Sequence, residues 1–387
     1  MRRLLVLAAA MVFFDVVFFS AIAPLLPEYV SELGLSKAQA GFLSASYAAG
    51  TLAFSLPAGL LAARIGPRRT VIGGLLLLGC SSVAFGFARE YLLLDAARLV
   101  QGASGALIWS GALTWLITTA PPERRGAVIG IALGTAVGGA LLGPVLGALA
   151  AEVGTELVFS GVLAVAIVLA AIAARLPEPA LPERQSLRDI SEIIFTRPIL
   201  TGMAFVAVPS VMFGAVEVQA PLQIAEMGGG HALIAGGFIA GAALEAVLAP
   251  LAGRYSDRAG RRVPFTIGLS ICAVAMLAVA VGTTMGVVMT GLMLTSLGGG
   301  ICFTPALTML SEMAESSSLH QGVAAGLSNM AWALGQVIGG LAGGALAGAA
   351  GNATPALAIV ALLLCTAAYS FHVLAPPAVR HAGGGEG

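Results

Sequence analysis

The sequence predicts an all-α polytopic membrane protein with twelve membrane-spanning helices arranged as two pseudo-symmetric six-helix bundles. Hydrophobic residues make up 58% of the 387 residues and charged residues only 10%, whereas a soluble domain carries about 25% charged residues. The mean hydropathy of +0.97 points the same way. Finally, the chain divides into about twelve apolar runs of the length that crosses a bilayer, about 20 residues each.

The apolar runs follow one another with short connections. In the first half they cover residues 4–26, 38–63, 69–88, 92–118, 125–150 and 154–175. In the second half they cover residues 199–224, 231–252, 263–281, 286–310, 320–347 and 352–374. The first run continues well beyond the apolar stretch of a leader peptide and is followed by further spans, so we expect it to be a retained helix.

These runs divide the chain into four segments. We expect an N-terminal bundle over residues 1–175 and a C-terminal bundle over residues 199–374. Residues 176–198, rich in proline and in charges of both signs, would be a central cytoplasmic linker. Residues 375–387 end in HAGGGEG and are predicted to form a disordered cytoplasmic tail.

A glycine-arginine loop occurs once in each half. Residues 59–69 read GLLAARIGPRR and residues 253–262 read GRYSDRAGRR. An internal repeat in a hydrophobic chain is typical of secondary transporters. We predict gating roles for Gly59, Arg64, Gly66, Arg68 and Arg69 in the first copy and for Gly253, Asp257, Arg258, Gly260, Arg261 and Arg262 in the second.

The basic residues are distributed unevenly over the two predicted faces. Sixteen fall on the face of the termini, the repeat loops and the linker, and two, Lys37 and Arg89, on the other. Because lysine and arginine are enriched in cytoplasmic loops, both termini are predicted to be cytoplasmic in a multi-pass protein of the cell membrane. The sixteen are Arg2, Arg3, Arg64, Arg68, Arg69, Arg124, Arg125, Arg175, Arg184, Arg188, Arg197, Arg254, Arg258, Arg261, Arg262 and Arg380.

Three acidic residues fall inside predicted spans. Asp15 lies in the first span, Glu217 in the seventh and Glu245 in the eighth. A carboxylate in hydrocarbon is costly, so these side chains should face a central cavity and serve a proton or a cation. The alternative is a structural role: a hydrogen bond to a neighbouring helix for Asp15, or a contact at the interface between the halves for Glu245.

The fourth span contains the sequence RLVQGASG, with Arg98 and Gln101 inside the membrane. An arginine there is costly unless it is paired. One interpretation is a gating or proton-transfer role. The other is an intrahelical ion pair with Asp95, which lies one turn before Arg98.

Two spans carry stripes of small residues, which let helices approach closely. The fifth span contains Gly134, Gly138, Gly143, Pro144 and Gly147, and its proline permits a bend. The eleventh span carries a similar face at Gly335, Gly339, Gly340, Gly343 and Gly344. Close packing alone would also account for both stripes.

Together these motifs resemble the major facilitator superfamily over about residues 4–374. The repeat loops are similar to the family's G-x-L-A-D-R-x-G-R-K pattern, although Ala63 stands where the family usually has aspartate. The RLVQG stretch resembles its R-x-x-Q-G motif. The resemblance implies that the loops latch the two halves together on the cytoplasmic face, with the second copy carrying more of that latch.

Within the superfamily, the fifth-span glycines resemble those of antiporters. Asp15 and Glu217, each before a proline, are similar to acids of the drug:proton antiporter-1 branch, which includes the vesicular amine transporters. The resemblance implies that these acids contact protons or cationic substrate. Asn329 in the eleventh span is a further binding candidate, although amine transporters tend to have an acid there.

The expected function is proton-coupled secondary active efflux, an antiport of a small lipophilic or cationic solute or drug by alternating access. The alternatives are an exporter or facilitator of a sugar, amino acid or other metabolite, and a non-transporting membrane protein. We expect no enzyme activity, because no catalytic constellation is present, and no metal, cofactor or nucleic acid. The expected partners are the solute, protons and the lipid bilayer, with the chain acting as a monomer. Weaker candidates for cavity lining are Trp109, Trp115, Trp332, Phe18, Phe19 and Gln336.

Overall fold

The computed structural model describes residues 2–121, 125–178, 194–317, 319 and 321–373. The elements formed by these residues are helices, with no β-strand among them. The predicted all-α fold is therefore confirmed. The predicted tail and most of the predicted linker lie outside the described residues.

In the first half, the helix bounds follow the predicted apolar runs closely. The main difference is that the first span is divided into two helices. The helices are α1 (Arg2–Ser20), α2 (Ile22–Leu33), α3 (Lys37–Ile65), α4 (Pro67–Phe87), α5 (Tyr91–Thr119), α6 (Arg125–Val153) and α7 (Thr155–Ala174).

In the second half, the eleventh predicted span contains a π-helical segment. The elements are α8 (Arg197–Glu226), α9 (His231–Ala259), α10 (Arg262–Val281), α11 (Met285–Ser316), α12 (Gln321–Leu341), the π-helical segment Ala342–Leu346, α13 (Ala347–Ala350) and α14 (Ala353–Val373). In both halves, the helices therefore match the predicted spans over most of their length.

The break in the first span has a local cause. Pro24 is the third residue of α2 and has no N–H to donate to the carbonyl of Ser20, with which its ring would clash in a continuous regular helix. The regular helix accordingly ends at Ser20 and begins again at Ile22.

Among the described residues, eleven helical stretches are long and apolar enough to cross a membrane, with α1 and α2 together forming one of them. The fourth predicted span, α5, is not one of the eleven. Its length of 29 residues is sufficient, but polar side chains such as Gln101 reduce its hydropathy. Because α5 packs against both α3 and α4, these polar groups are covered by protein.

Hydrophobic packing follows the two halves of the chain. One cluster of buried side chains, including Phe205 and Phe265, contains only residues from α8 onwards. A second cluster is built around Trp115 and other residues of the first half. A third cluster, in the first half, is joined by Val218 and Leu222 of α8. The halves are therefore in direct apolar contact beside α2.

The two halves are also joined by ion pairs on the face opposite the termini, which we call the distal face. Lys37 Nζ lies 3.1 Å from Glu226 Oε1, and His231 Nε2 lies 3.5 Å from Glu28 Oε2. Among the described residues, these are the ion pairs that connect the halves. We call the face that carries the termini the terminal face.

Backbone contact between α3 and the eleventh span also joins the two halves on the distal face. A Cβ atom added to Gly41 would lie 2.8 Å from Gly344 Cα, and one added to Gly340 would lie 3.1 Å from Ala45 Cβ. These glycines allow the two halves to meet almost without intervening side chains on the distal side.

Candidate functional site

Asp15 lies in a buried polar pocket of the first half. The residue is 1% exposed. Tyr47 Oη of α3 donates a hydrogen bond to Asp15 Oδ1 at 2.8 Å, and Trp109 Nε1 of α5 donates to Asp15 Oδ2 at 3.1 Å. The two donors come from two other helices, so the carboxyl group joins α1, α3 and α5 at one point.

A glycine makes room for this group. A Cβ atom at position 105 would lie 2.9 Å from Asp15 Oδ1 and would also collide with the Tyr47 hydroxyl. Side chains larger than hydrogen would therefore displace one of the two groups. Gly105 is part of the RLVQGASG stretch, and the geometry gives its glycine a specific role beside the acid.

Aromatic rings lead from this pocket to the second half. The Phe19 ring centroid lies 5.0 Å from that of Tyr47 and 5.2 Å from that of Trp332 on α12. Phe19 therefore lies between the residue that hydrogen-bonds Asp15 and a residue of the opposite half. By contrast, Phe18 and Trp115 are buried in the cores of the first half, so packing describes these two weaker candidates.

Arg98 is buried, with 2% of its surface exposed, and its guanidinium is held at the break between α1 and α2. Nη1 donates to the carbonyl of Phe18 at 3.1 Å, and Nη2 donates to the carbonyl of Phe19 at 3.1 Å. Carbonyls at the end of a helix lack intrahelical donors. Arg98 therefore caps α1 from a neighbouring helix.

Gln101 supports this arrangement. Arg98 Nη1 also donates to Gln101 Oε1 at 3.2 Å, and Gln101 Nε2 donates to Ser82 Oγ of α4 at 3.1 Å. Gln101 is fully buried. It thus fixes the guanidinium and ties α5 to α4.

The alternative in which Arg98 pairs with Asp95 is wrong in this structure. Asp95 Oδ1 instead accepts a short hydrogen bond from the Ser46 hydroxyl of α3. The guanidinium extends towards the carbonyls of α1, which offer two acceptors at a site shielded from solvent. Spacing along one helix did not decide the partner, because a better set of acceptors lies on another helix.

Glu217 lies across the interface from Arg98, close enough for the two charges to interact. Gln336 on α12 lies near its carboxyl. Gln336, Trp332 and Asn329 are four and three residues apart and lie along one side of that helix. Glu217, the α12 residues and the Asp15 pocket thus form one continuous central region.

Glu245 is separate from this group. No hydrogen bond or ion pair joins its side chain to another described residue, and its neighbour on α11 is the buried Cys302. The helix that carries it, α9, packs against α6 and α11. Glu245 is therefore near the interface between the halves, on a different side from Asp15.

The glycines of the fifth span have unequal surroundings. A Cβ atom at Gly143 would lie 2.5 Å from the carbonyl of Val17, and one at Gly147 would collide with the carbonyl of Ala21. At Gly138 it would make ordinary contact with Phe13, 3.6 Å away, and at Gly134 it would meet nothing within 4 Å. Of the glycines in this stripe, Gly143 and Gly147, which flank Pro144, are the ones in close contact with the backbone of the first span.

The first repeat loop is held within its own half. Arg68 Nη1 donates to the carbonyl of Leu176 at 3.1 Å, and Arg68 Nη2 lies 3.0 Å from Glu178 Oε2. Gly66 has a φ of +95°, a conformation that favours glycine. Arg64 and Arg69 are exposed.

The second loop is likewise tied to its own half where it is described. Arg261 Nη2 lies 2.6 Å from Glu312 Oε1 of α11, and the Arg262 guanidinium lies over the Phe371 ring at 3.7 Å. Gly260 has a φ of +85°. The surroundings of three further loop residues predicted to act in gating, Gly253, Asp257 and Arg258, lie outside what the structure describes.

Several groups in and around the site were not predicted from the sequence. Tyr47 is the strongest donor to Asp15 and was missed, although a phenol within an apolar span is a usable signal. The distal ion pairs and the partners Glu178 and Glu312 were also missed, because they join segments far apart in sequence. Within the described residues, no group of three histidine, cysteine or acidic side chains could hold a metal ion.

Buried charges between two helical halves are typical of functional sites in membrane proteins. The sequence profile described as Major Facilitator Superfamily matches residues 8–315 and 231–387. The chain belongs to this superfamily.

Curated relatives match only part of the chain. The MFS-type transporter ppzB of Metarhizium majus is 34% identical over 124 residues, 30% of this chain and 27% of that protein. Quinolone resistance protein NorA of Staphylococcus aureus (strain MRSA252) is 29% identical over 106 residues, 27% of each chain. The chain thus spans about a quarter of the length of these relatives.

Solved structures match over nearly the full length. The human organic anion transporter MFSD10 (TETRAN) has a TM-score of 0.72 at 16% identity, covering 95% of this chain and 99% of that one. A bacterial homolog of the human lysosomal transporter Spinster, solved inward-facing and unoccupied, also has a TM-score of 0.72, at 15% identity, covering 95% and 96%. At this identity the likeness concerns the fold alone.

Proposed function

We propose that this protein is a proton-coupled antiporter that exports a small lipophilic or cationic solute. The observation that carries the proposal is the central charge arrangement. Two acids, Asp15 and Glu217, lie on opposite halves beside one buried cation, Arg98. With both acids ionised the region would carry an excess negative charge, which is costly in a membrane interior. A proton or a cationic solute can compensate that charge, and competition between the two is the basis of exchange.

Asp15 is the better candidate for the coupling group. Its two donors, Tyr47 and Trp109, can hold the ionised carboxylate, while protonation would turn one oxygen into a donor and weaken one of these bonds. Tyr47 also contacts Phe19, which contacts Trp332 of the other half. A change in the charge of Asp15 would therefore alter packing at the interface.

The direction of transport follows from topology and conformation. We propose that the terminal face is cytoplasmic, on the strength of the arginine distribution. The halves are joined by ion pairs on the distal face, so the described conformation would be closed to the outside. Solute would enter from the cytoplasm, and protonation from outside would accompany its release. The loop arginines, now held within each half, would form the cytoplasmic latch in the opposite conformation.

The side chains of the central region bear on the kind of solute that is transported. The aromatic rings of Trp109, Phe19 and Trp332 and the nearby acids suit a lipophilic or cationic guest. The partial similarity to a quinolone resistance protein supports a drug-like compound. Glu245 would be a second titrating group only if transport needs more than one proton.

The proposal is tested with purified protein in liposomes under an imposed pH gradient. Organic cations, neutral amphiphiles and organic anions are supplied in turn, and internal pH is followed with a trapped dye. We expect cation-dependent proton movement that is lost in Asp15→Asn and retained in Glu90→Gln, an exposed acid on the distal side. Solute movement without proton movement would make the protein a facilitator, and proton coupling that persists in Asp15→Asn would refute the role of this residue.

A further inference from the structure

A groove on the terminal face lies apart from the central site. It runs between the start of α1 and the end of α7 and has a volume of about 640 Å³. Its rim carries Arg2, Arg3 and Arg175, and its wall includes Ala10, Leu169 and Ile172. Three positive charges therefore converge above an apolar surface at the place where a helix bundle meets the membrane boundary.

The three arginines have no anionic partner in the described part of the protein. All three side chains are exposed, and no ion pair joins them to a described acid. The nearby acid Glu178 is already paired with Arg68 at 3.0 Å. Within the described residues, the charges of the cationic rim are therefore not balanced by an acid of the chain.

The end of α7 would normally oppose an anion, because the carbonyls at a helix C-terminus carry partial negative charge. Arg68 removes this obstacle. Its Nη1 atom donates to the carbonyls of Ala174 at 3.4 Å and Leu176 at 3.1 Å. Arg68 thus satisfies carbonyls on both sides of Arg175 by hydrogen bonding, while its own charge is paired with Glu178.

The wall of the groove is apolar and is suited to acyl chains. Ile172 is 43% exposed, and the neighbouring Val6 of α1 is 63% exposed. In a bilayer these side chains face acyl chains. Water-soluble anions gain nothing from such a wall, whereas an amphiphile with an anionic head gains from both parts.

We propose that this groove binds an anionic phospholipid of the adjacent leaflet. The phosphate and any further anionic group of the head contact Arg2, Arg3 and Arg175, and the glycerol and upper acyl chains lie against the apolar wall. Basic pockets between membrane helices suit such lipids. The occupant would tie α1, which carries Asp15, to α7 without entering the central site.

The test is lipid binding by native mass spectrometry of the detergent-purified full chain, with phosphatidylglycerol and phosphatidylcholine of identical acyl chains. Each arginine near an anionic surface contributes about a fivefold preference. We expect the triple change of Arg2, Arg3 and Arg175 to glutamine to reduce the preference for phosphatidylglycerol at least tenfold. The matched control changes Arg64, Arg69 and Arg197 to glutamine, which removes the same charge from the same face outside the groove, and it should keep the preference.

Equal loss in both triple variants, or no loss in the first, would overturn the proposal. Ala10→Phe provides a second test that retains all the charges, and it should reduce phosphatidylglycerol binding by filling the wall. Inorganic phosphate is added as a competitor to distinguish a headgroup from a free anion. If millimolar phosphate displaces the lipid, or if Ala10→Phe binds it as well as the unaltered chain does, the site is not a phospholipid site.

Discussion

The guanidinium of Arg98 holds together the break in the first span, and this role can be separated from its charge. We predict that Arg98→Met destabilises the protein substantially and that Arg98→Lys, which keeps the charge, destabilises it to an intermediate degree. Methionine can donate to neither carbonyl at the end of α1. A lysine ammonium is compact and cannot span the carbonyls of Phe18 and Phe19 as the planar guanidinium does.

The magnitude follows from the two carbonyls. Each buried acceptor left without a donor costs about 1–3 kcal/mol, so two give about 2–6 kcal/mol for Arg98→Met. Removing the buried charge returns part of its desolvation cost, which favours the lower half of that range, about 2–4 kcal/mol. For Arg98→Lys one carbonyl is lost, and about 1–3 kcal/mol is expected.

The free energy of unfolding is measured by denaturant titration in mixed micelles, with transport measured in parallel. Arg89→Met is the matched control, because Arg89 pairs with Glu156 near the distal surface and its removal should cost less than about 1 kcal/mol. If Arg98 acted through its charge alone, Arg98→Lys would be as stable as the unaltered protein. That result, or an Arg98→Met variant of full stability, would refute the capping role.

Three further predictions concern packing, gating and topology. Gly102→Ala should cost about 1–3 kcal/mol of stability, because its Cβ would collide with the carbonyl of Tyr47. Gly73→Ala, inside α4 with nothing within 4 Å, should instead stabilise the protein by up to about 1 kcal/mol in the same unfolding assay. Lys37→Gln should raise the population that is open on the distal face by a factor of about 1.4 to 5, since an exposed ion pair typically contributes about 0.2–1 kcal/mol. Spin-label distances across that face would measure this population, and an unchanged population would exclude a latch role. A reporter fused after residue 373 should be active only in the cytoplasm, and activity outside would reverse the proposed orientation.

The fold was predictable because the length of each apolar run can be read from the sequence. The predicted span 92–118 corresponds to α5 at Tyr91–Thr119, and the span 199–224 to α8 at Arg197–Glu226. What periodicity did not show is where a span changes its helical form. The break before Ile22 was signalled by Pro24, whereas the π-helical segment Ala342–Leu346 lies among glycines and alanines that give no such indication.

The acids of the central site could be found because a charge in an apolar run is conspicuous, but their partners could not. Tyr47 and Asp15 are 32 residues apart in the sequence and meet because α3 and α1 both pack against α5. The Asp95 alternative shows the same limit: Asp95 and Arg98 lie one turn apart on α5, yet Asp95 is bonded to Ser46 of α3 and Arg98 to carbonyls of α1. Sequence spacing gives the candidates, and tertiary packing selects among them.

The eleventh span is lined by glycines on two sides. Gly335, Gly339 and Gly343 face α8, where added Cβ atoms would meet the backbone at Ala207, Val211 and Ala215. Gly340, Gly344 and Gly348 face α3, and a methyl group at position 344 would lie 2.5 Å from the carbonyl of Lys37. One added carbon at that position would push α3 and the eleventh span apart, and with them the two halves on the distal side. A Gly344→Ala chain would therefore be a reagent for trapping the conformation open on the distal side, for structure determination or for selecting conformation-specific antibodies.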